Sequence, residues 1–208
     1  MTAAPPSLFV TGGGRALAAV GDVTREEEVE RAVRRAEERF GGIDVLVNNA
    51  GLFKVRPLVE FDTATWRQPI DTNLAGAFFA TRAVVRGMVA RRRDGSTSAG
   101  RLRAIVNVSS EAGRKGFVGS TAYCASKFGL VGFGEARREE LRPHAIRVIN
   151  VLPGQVDTRA WEGCGLNLEA LGIRRDRMMR PDDVAEAIAR AVLAEGRAVA
   201  EEIALRPL

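Results

Sequence analysis

Histidine and cysteine are scarce in this chain of 208 residues: there is one histidine, His144, and two cysteines, Cys124 and Cys164. A lone histidine beside Pro143 gives a Ser–His hydrolase little support. Two cysteines build neither a disulfide framework nor a metal cluster, so no metal site is expected and Cys124 reads as a packed free thiol. No apolar run approaches the ~20 residues that cross a bilayer. The N-terminus lacks a charged segment followed by an apolar core, so a cytoplasmic protein without a membrane partner is expected. The net charge is +5 and the sequence pI near 10.0. The arginines alternate with glutamates, as in R-E-E-E-V-E-R-A-V-R-R-A-E-E-R, which describes a solvated amphipathic helix. Only Arg91, Arg92, Arg93, Arg101 and Arg103, around D-G-S-T-S-A-G, make a locally basic stretch. No recognition module or aromatic interleaving accompanies them, so no nucleic-acid partner is expected. At 46% hydrophobic and 27% charged, residues 1–208 read as one soluble globular domain.

Tyrosine is rarer than lysine: Tyr123 is the only one, and Lys127, one of three lysines, follows four residues later in T-A-Y-C-A-S-K-F-G-L. That spacing is one helical turn, so both side chains project from one face. A neighbouring ammonium favours phenolate, and a shift of ~3 units, roughly 4 kcal/mol, brings a phenol into acid–base range. The plain alternative is a half-buried Tyr beside a solvated Lys.

Three apolar, β-branched runs each end in small or polar residues. I-D-V-L-V-N-N-A-G ends at Asn48–Gly51, R-A-I-V-N-V-S-S at Ser110, and I-R-V-I-N-V-L-P-G at Pro153-Gly154, with Val156 and Thr158 beyond. Each reads as a buried strand, with helical segments between them. This is the pattern of a parallel α/β sheet with ligands at its carboxyl edge. Further elements are predicted at Ser7–Thr11, Ala16–Asp22, a helix to Phe40 opened by a Thr24/Glu27 capping box, a helix over 64–92 starting near Trp66, and a helix over 121–142 stopped by Pro143. A last helix starts near Pro181 and leads to a strand at 198–205.

T-G-G-G at 11–14, D-V-T at 22–24, N-N-A-G at 48–51, Asn73 in D-T-N-L-A-G, Ser110, Tyr123-x-x-x-Lys127 and P-G-Q-V-D-T at 153–158 occur in one order over nearly the whole chain. In this the sequence resembles the short-chain dehydrogenase/reductase family. The resemblance implies a single-domain Rossmann-type, doubly wound parallel sheet in three α/β/α layers. It also implies reversible hydride transfer between NAD or NADP and a small-molecule carbonyl or secondary alcohol. Tyr123 would move the alcohol proton. Lys127 would lower its pKa and bond the nicotinamide ribose. Ser110 would hold the substrate oxygen. Asn73 would support a water chain to Lys127, its alternative being a helix-bend residue that bonds backbone. Gly12, Gly13, Gly14 and Arg15 would border the pyrophosphate, and Asp22 with Val23 the adenine. Asn49, Ala50 and Gly51 would line the ribose, while Pro153, Gly154, Val156 and Thr158 pack on the nicotinamide. Core packing is the alternative for Val23 and Val156. The 157–179 stretch would wall the substrate pocket, with Trp161, Leu166 and Leu168 as apolar candidates. Pairing of the 64–92 and 121–142 helices with a second copy implies a homodimer or homotetramer, through residues such as Ala80, Ala83, Val84, Phe128, Val131 and Phe133.

The chain departs from the family where the phosphate loop should lead into a helix. Thr11–Arg15 instead runs straight into A-L-A-A-V-G-D-V-T, the family's third strand. The end of the loop, the first helix, the second strand and the second helix are missing, roughly 30–40 residues. NAD and NADP cannot be told apart, because the selectivity strand is among them. Parallel neighbours need a crossover of about a dozen residues or more. Three explanations fit: an internal segment omitted from the sequence, a chain that truly lacks it, or a rebuilt N-terminus with Gly12–Gly14 turning a hairpin. The first leads to an expected break between Gly14 and Arg15, with two parallel strands flanking an empty slot. The second weakens cofactor binding and leaves room for a catalytically silent scaffold of the same fold.

Overall fold

The computed structural model describes residues 8–12, 15–93, 102–196 and 198–208. In chain order its main elements are β1 (Leu8–Gly12), β2 (Arg15–Ala19), α1 (Glu26–Phe40), β3 (Val45–Asn48), α2 (Thr63–Ile70), α3 (Gly76–Arg93), β4 (Ala104–Val108), α4 (Thr121–Leu141), β5 (Arg147–Pro153), α5 (Pro181–Leu193) and β6 (Glu202–Leu205). Four strands form one parallel sheet in the order β3-β4-β5-β6, with Asn48 opposite Asn107 and Asn107 opposite Asn150. Successive residues of β4 and β5 face opposite sides, so each strand feeds two cores. Ile105 and Val148 meet α1 and α3 through Val29, Val33, Val84 and Met88. Val106, Ile149 and Val151 meet α5 through Val184 and Val192. The result is the expected three-layer α/β/α architecture.

The N-terminal expectation is overturned. β1 and β2 pair antiparallel in a separate two-stranded sheet, with Leu8 opposite Ala19 and Gly12 opposite Arg15. Gly13 and Gly14 lie outside the described residues, as does most of the basic stretch, at 94–101. Antiparallel neighbours need no crossover between their facing ends. No break is therefore required, and no slot opens between parallel strands. Of the three explanations, the rebuilt N-terminus agrees with this antiparallel pairing, while its turn at Gly13 and Gly14 lies outside the described residues. As a consequence β3, read as a strand buried on both faces, lies at the sheet edge with Val47 41% exposed.

Local chemistry sets the helix ends. The Thr24/Glu27 capping box does not form. Asp22 takes its place: Oδ1 accepts from the Thr24 backbone N–H and hydroxyl at 2.9 and 2.8 Å, and Glu28 Oε2 accepts from Asp22 N–H at 2.9 Å. Helix α1 therefore starts later, at Glu26. Its end is a left-handed Gly41 (φ 77°), whose N–H closes on Glu37 O at 2.8 Å. Helix α2 begins at Thr63 rather than near Trp66, because Asp62 caps it by accepting from Thr65 N–H at 2.7 Å. Pro69 sits inside α2 and removes a helix donor. A wide π-helical turn at Asp71–Ala75, closed by Gly76 N–H on Asp71 O, then joins α2 to α3.

A buried amide ladder crosses the sheet. Asn48 Nδ2 donates to Asn107 Oδ1 at 2.9 Å, Asn107 Nδ2 to Asn150 Oδ1 at 3.0 Å, and Asn150 Nδ2 to Val131 O on α4 at 3.2 Å. Asn48 Nδ2 also reaches Thr81 Oγ1 on α3 at 3.0 Å. Gly134 makes room, since a Cβ there would overlap Asn150 Oδ1. A slip of one residue in any strand would strand these amides in the core, so the ladder specifies the register that aligns the carboxyl ends.

Candidate active site

The carboxyl ends of β3, β4 and β5 deliver three loops to the first half of α4. Each of the two serines after β4 has a different task. Ser109 is buried and donates to Lys127 O at 3.1 Å, tying α4 to the strand. Gly113 lets the two approach, since a Cβ there would lie 2.7 Å from Ser109 Oγ and 3.0 Å from Lys127 O. Ser110 accepts from Ala112 N–H at 3.1 Å, and its hydroxyl pulls the Tyr123 pKa down. The residues read from sequence as substrate-oxygen holder and proton carrier thus influence one another electrostatically.

Lys127 is only 4% exposed, and its Nζ donates to Val108 O at 2.8 Å. Burial holds the ammonium well below its usual range, at about 8. Its Nζ lies 5.7 Å from the Tyr123 ring centroid, on the shared face that the four-residue spacing implied. The expected lowering of the Tyr123 pKa is not what this arrangement supplies. Burial pushes the phenol upward, the Ser110 hydroxyl pulls it down, and Cys124 with the Glu111 carboxylate add to the rise. Ser110, rather than Lys127, is what favours phenolate here.

Asn73 lies buried in the π-helical turn. Its Oδ1 accepts from Leu52 N–H at 2.7 Å, while Nδ2 donates to Leu52 O at 3.0 Å and Ser126 Oγ at 2.9 Å. The side chain therefore bonds backbone, as its plainer alternative held. It clamps the loop after β3 onto α4 beside Lys127. A Cβ built on Gly51 would lie 3.7 Å from both Asn73 Oδ1 and Lys127 Nζ, so Gly51 adjoins both. Asn49 is exposed and Ala50 half-buried at the same edge.

The remaining predicted residues divide. Pro153 ends β5, and Gly154 packs against β6 with its N–H on Leu205 O at 2.8 Å. Val156 pairs with Met179 and packs into the core under α5, and Val23 packs into the opposite core, so core packing accounts for both. Thr158 caps a short 3-10 turn by accepting from Ala160 N–H at 3.3 Å. The Asp22 carboxylate is engaged with Thr24. Gly12 and Arg15 face each other across the hairpin, and strand β2, not a helix, follows the glycines.

Sequence reasoning missed Ser126 and Phe53. Ser126 is fully buried and donates to Tyr123 O at 2.7 Å, linking Asn73 to the turn of α4 that carries Tyr123. Its signal was a hydroxyl at a mid-helix position, where such groups bond back to the preceding turn. The Phe53 ring lies 4.7 Å from Tyr123 and 5.6 Å from Trp161, edge-on to each.

The family model for short chain dehydrogenases matches residues 7–167. Galactitol 2-dehydrogenase of Agrobacterium fabrum is 37% identical over 141 residues, covering 68% of this chain and 52% of that protein. Trans-4-hydroxycyclohexanecarboxylate dehydrogenase of Sinomonas cyclohexanicum is 39% identical over 170 residues, covering 81% of this chain and 62% of that protein. Among solved structures, the 3-ketoacyl-(acyl-carrier-protein) reductase from Brucella melitensis complexed with NADH superposes with a TM-score of 0.78 at 26% identity. That match covers 91% of this chain and 76% of the other. The chain thus spans between about half and three quarters of the relatives it matches. With the family model covering most of its residues, it belongs to the short-chain dehydrogenase family.

Proposed function

We propose that this chain is an NAD(P)-dependent oxidoreductase that interconverts a secondary alcohol and a carbonyl, with Tyr123 as the acid–base group. The observation that carries this reading is the placing of Tyr123 at the sheet's carboxyl edge with buried Lys127 Nζ 5.7 Å from its ring and held on Val108 O, on the side where Ser110 follows β4. In the reducing direction the Tyr123 O–H gives its proton to the substrate oxygen while the Ser110 hydroxyl steadies the charge growing there. The Lys127 ammonium, held against Val108 O, supplies positive charge to the same corner. Asn73 and Ser126 keep that corner rigid.

A bound nicotinamide would supply the hydride. The residues fit its two ends unequally. Asn49–Gly51, Lys127 and Tyr123 adjoin one another, which suits the nicotinamide and its ribose. The phosphate end is not built: β2 follows the glycines where a helix N-terminus would hold pyrophosphate. Nothing among the described residues selects between NAD and NADP, although the Brucella melitensis relative was solved with NADH. For assembly we propose a homodimer or homotetramer through α3 and α4. Ala80, Val84 and Val131 face the chain's own core, which leaves Phe128, 46% exposed, and the Phe78–Phe133 pair for such a contact.

Titration with NADH and NADPH tests the reading. One or both should bind, and Tyr123→Phe should cut turnover by at least ~100-fold with dinucleotide affinity changed only a few fold. Binding of neither would sink the enzyme reading and leave a silent scaffold of the same fold. A Tyr123→Phe variant with most of its rate intact would sink the role given to Tyr123.

A further inference from the structure

An aromatic chain runs from the Tyr123 ring to Phe53 in the loop after β3 and on to Trp161 in the loop after β5. Phe53, in the loop after β3, presents its ring edge-on to Tyr123 at 4.7 Å and to Trp161 at 5.6 Å. Trp161 belongs to the stretch after β5, and its Nε1 donates to Val156 O at 2.8 Å, which fixes the indole plane. Phe53, beside the phenol, and Trp161, beside Phe53, are each only half-buried.

The backbone behind these rings leaves them little freedom. Val55 N–H donates to Cys164 O at 2.7 Å, Lys54 Nζ to Gly163 O at 3.1 Å, and Arg56 N–H to Gly119 O at 2.8 Å. Gly165 and Gly119 adopt φ +100° and +70°, and a Cβ on Gly165 would overlap Val55 O. Only glycine accepts that conformation at that closeness. The loops after β3, β4 and β5 are thus laced together, with the aromatic pair set on a braced support.

We propose that Phe53 and Trp161 form a fixed aromatic wall that selects a ring-borne secondary alcohol or ketone over an open-chain one. The proposal rests on the acid–base role given to Tyr123 and deepens it by naming the substrate class. A ring offers a compact apolar face to two rigid aromatic surfaces. An open chain of equal carbon count must surrender its bond rotations to lie against the same wall, whereas a ring has already lost them.

Trp161 reports on its own wall. The chain holds two tryptophans, so Trp66→Phe leaves Trp161 as the sole tryptophan, excited at the red edge where Tyr123 does not absorb. In that background cyclohexanone and 2-hexanone, each with six carbons, are titrated while Trp161 emission is followed, with free tryptophan as the collisional control. Cyclohexanone should quench saturably, at half-saturation about 5- to 10-fold below that of 2-hexanone. Phe53→Ala should bring the two within about twofold, and Phe53→Leu, which keeps most of the volume without the ring, should do the same. Equal half-saturation in the parent, or a ring preference that survives in both Phe53 variants, overturns the proposal. Ring preference without any binding of NADH or NADPH sinks the oxidoreductase reading alone. Nicotinamide-dependent turnover of both ketones at equal efficiency, with no saturable Trp161 response, sinks the wall alone.

Discussion

The two ends of this molecule were built under different constraints. From β3 onward, four parallel strands are fixed to their helices by an in-register amide ladder, two apolar cores and three laced loops. The β1–β2 hairpin stands apart as a two-stranded sheet of its own. Both regions carry sequence patterns of the same family, but only one carries the connections that the pattern needs. A parallel strand is defined by its crossover, and the N-terminal strands lack one. The comparison teaches that a motif such as T-G-G-G has no fixed geometry of its own. Its glycines border a phosphate only when a helix follows them, and a strand follows here.

The largest effect should come from breaking the ordered half at its centre. Asn107→Ala leaves Asn48 Nδ2 and Asn150 Oδ1 without their shared partner in the core. The expected loss is about 3 kcal/mol, or roughly 6–12 °C in Tm. Thermal unfolding followed by circular dichroism checks this, and a shift under about 2 °C would show the ladder to be dispensable.

A smaller effect tests Lys127. Its folded-state pKa of about 8 lies below the ~10.4 of an unfolded lysine. Between those values the unfolded chain binds the extra proton, so the cost of burial is fully present below pH 8 and lifts as pH rises. Stability of the parent should therefore gain about 2 kcal/mol from pH 7.5 to 9.5, before the phenol titrates. Lys127→Met should lose that gain and be the more stable protein at pH 7.5. Urea unfolding at the two pH values decides, and identical slopes for parent and variant would refute the assignment.

The smallest effect should come from the hairpin. Removing residues 1–14 should shift Tm by less than roughly 4 °C, because an isolated two-stranded hairpin contributes little. Dinucleotide affinity should also stay within about threefold, since no helix N-terminus is lost. A fall in Tm larger than that of Asn107→Ala would reverse the contrast between the two regions.

Much of the site was legible because it depends on short-range spacing. Tyr123 and Lys127 share a helix face by arithmetic, and Ser110 ends a strand that points at them. Phe53 was not legible, since nothing local says that the second residue after N-N-A-G meets Trp161 more than 100 residues later. Asn73 showed its importance in the sequence, but its partners Leu52 and Ser126 emerge only when the π-helical turn packs.

By itself the sequence determined the parallel sheet from Val45 onward, the helices between its strands and the placing of Ser110, Tyr123 and Lys127 at one edge. Periodicity, turn residues and helical spacing are local properties and survive without coordinates. Tertiary structure alone decided that β1 and β2 would pair antiparallel, that β3 would become an edge, and that Lys127 would be buried against Val108 O. Each of these depends on which surfaces compete for the same partner across long separations. A short link settles that competition in favour of the nearest strand, and burial then settles the charge.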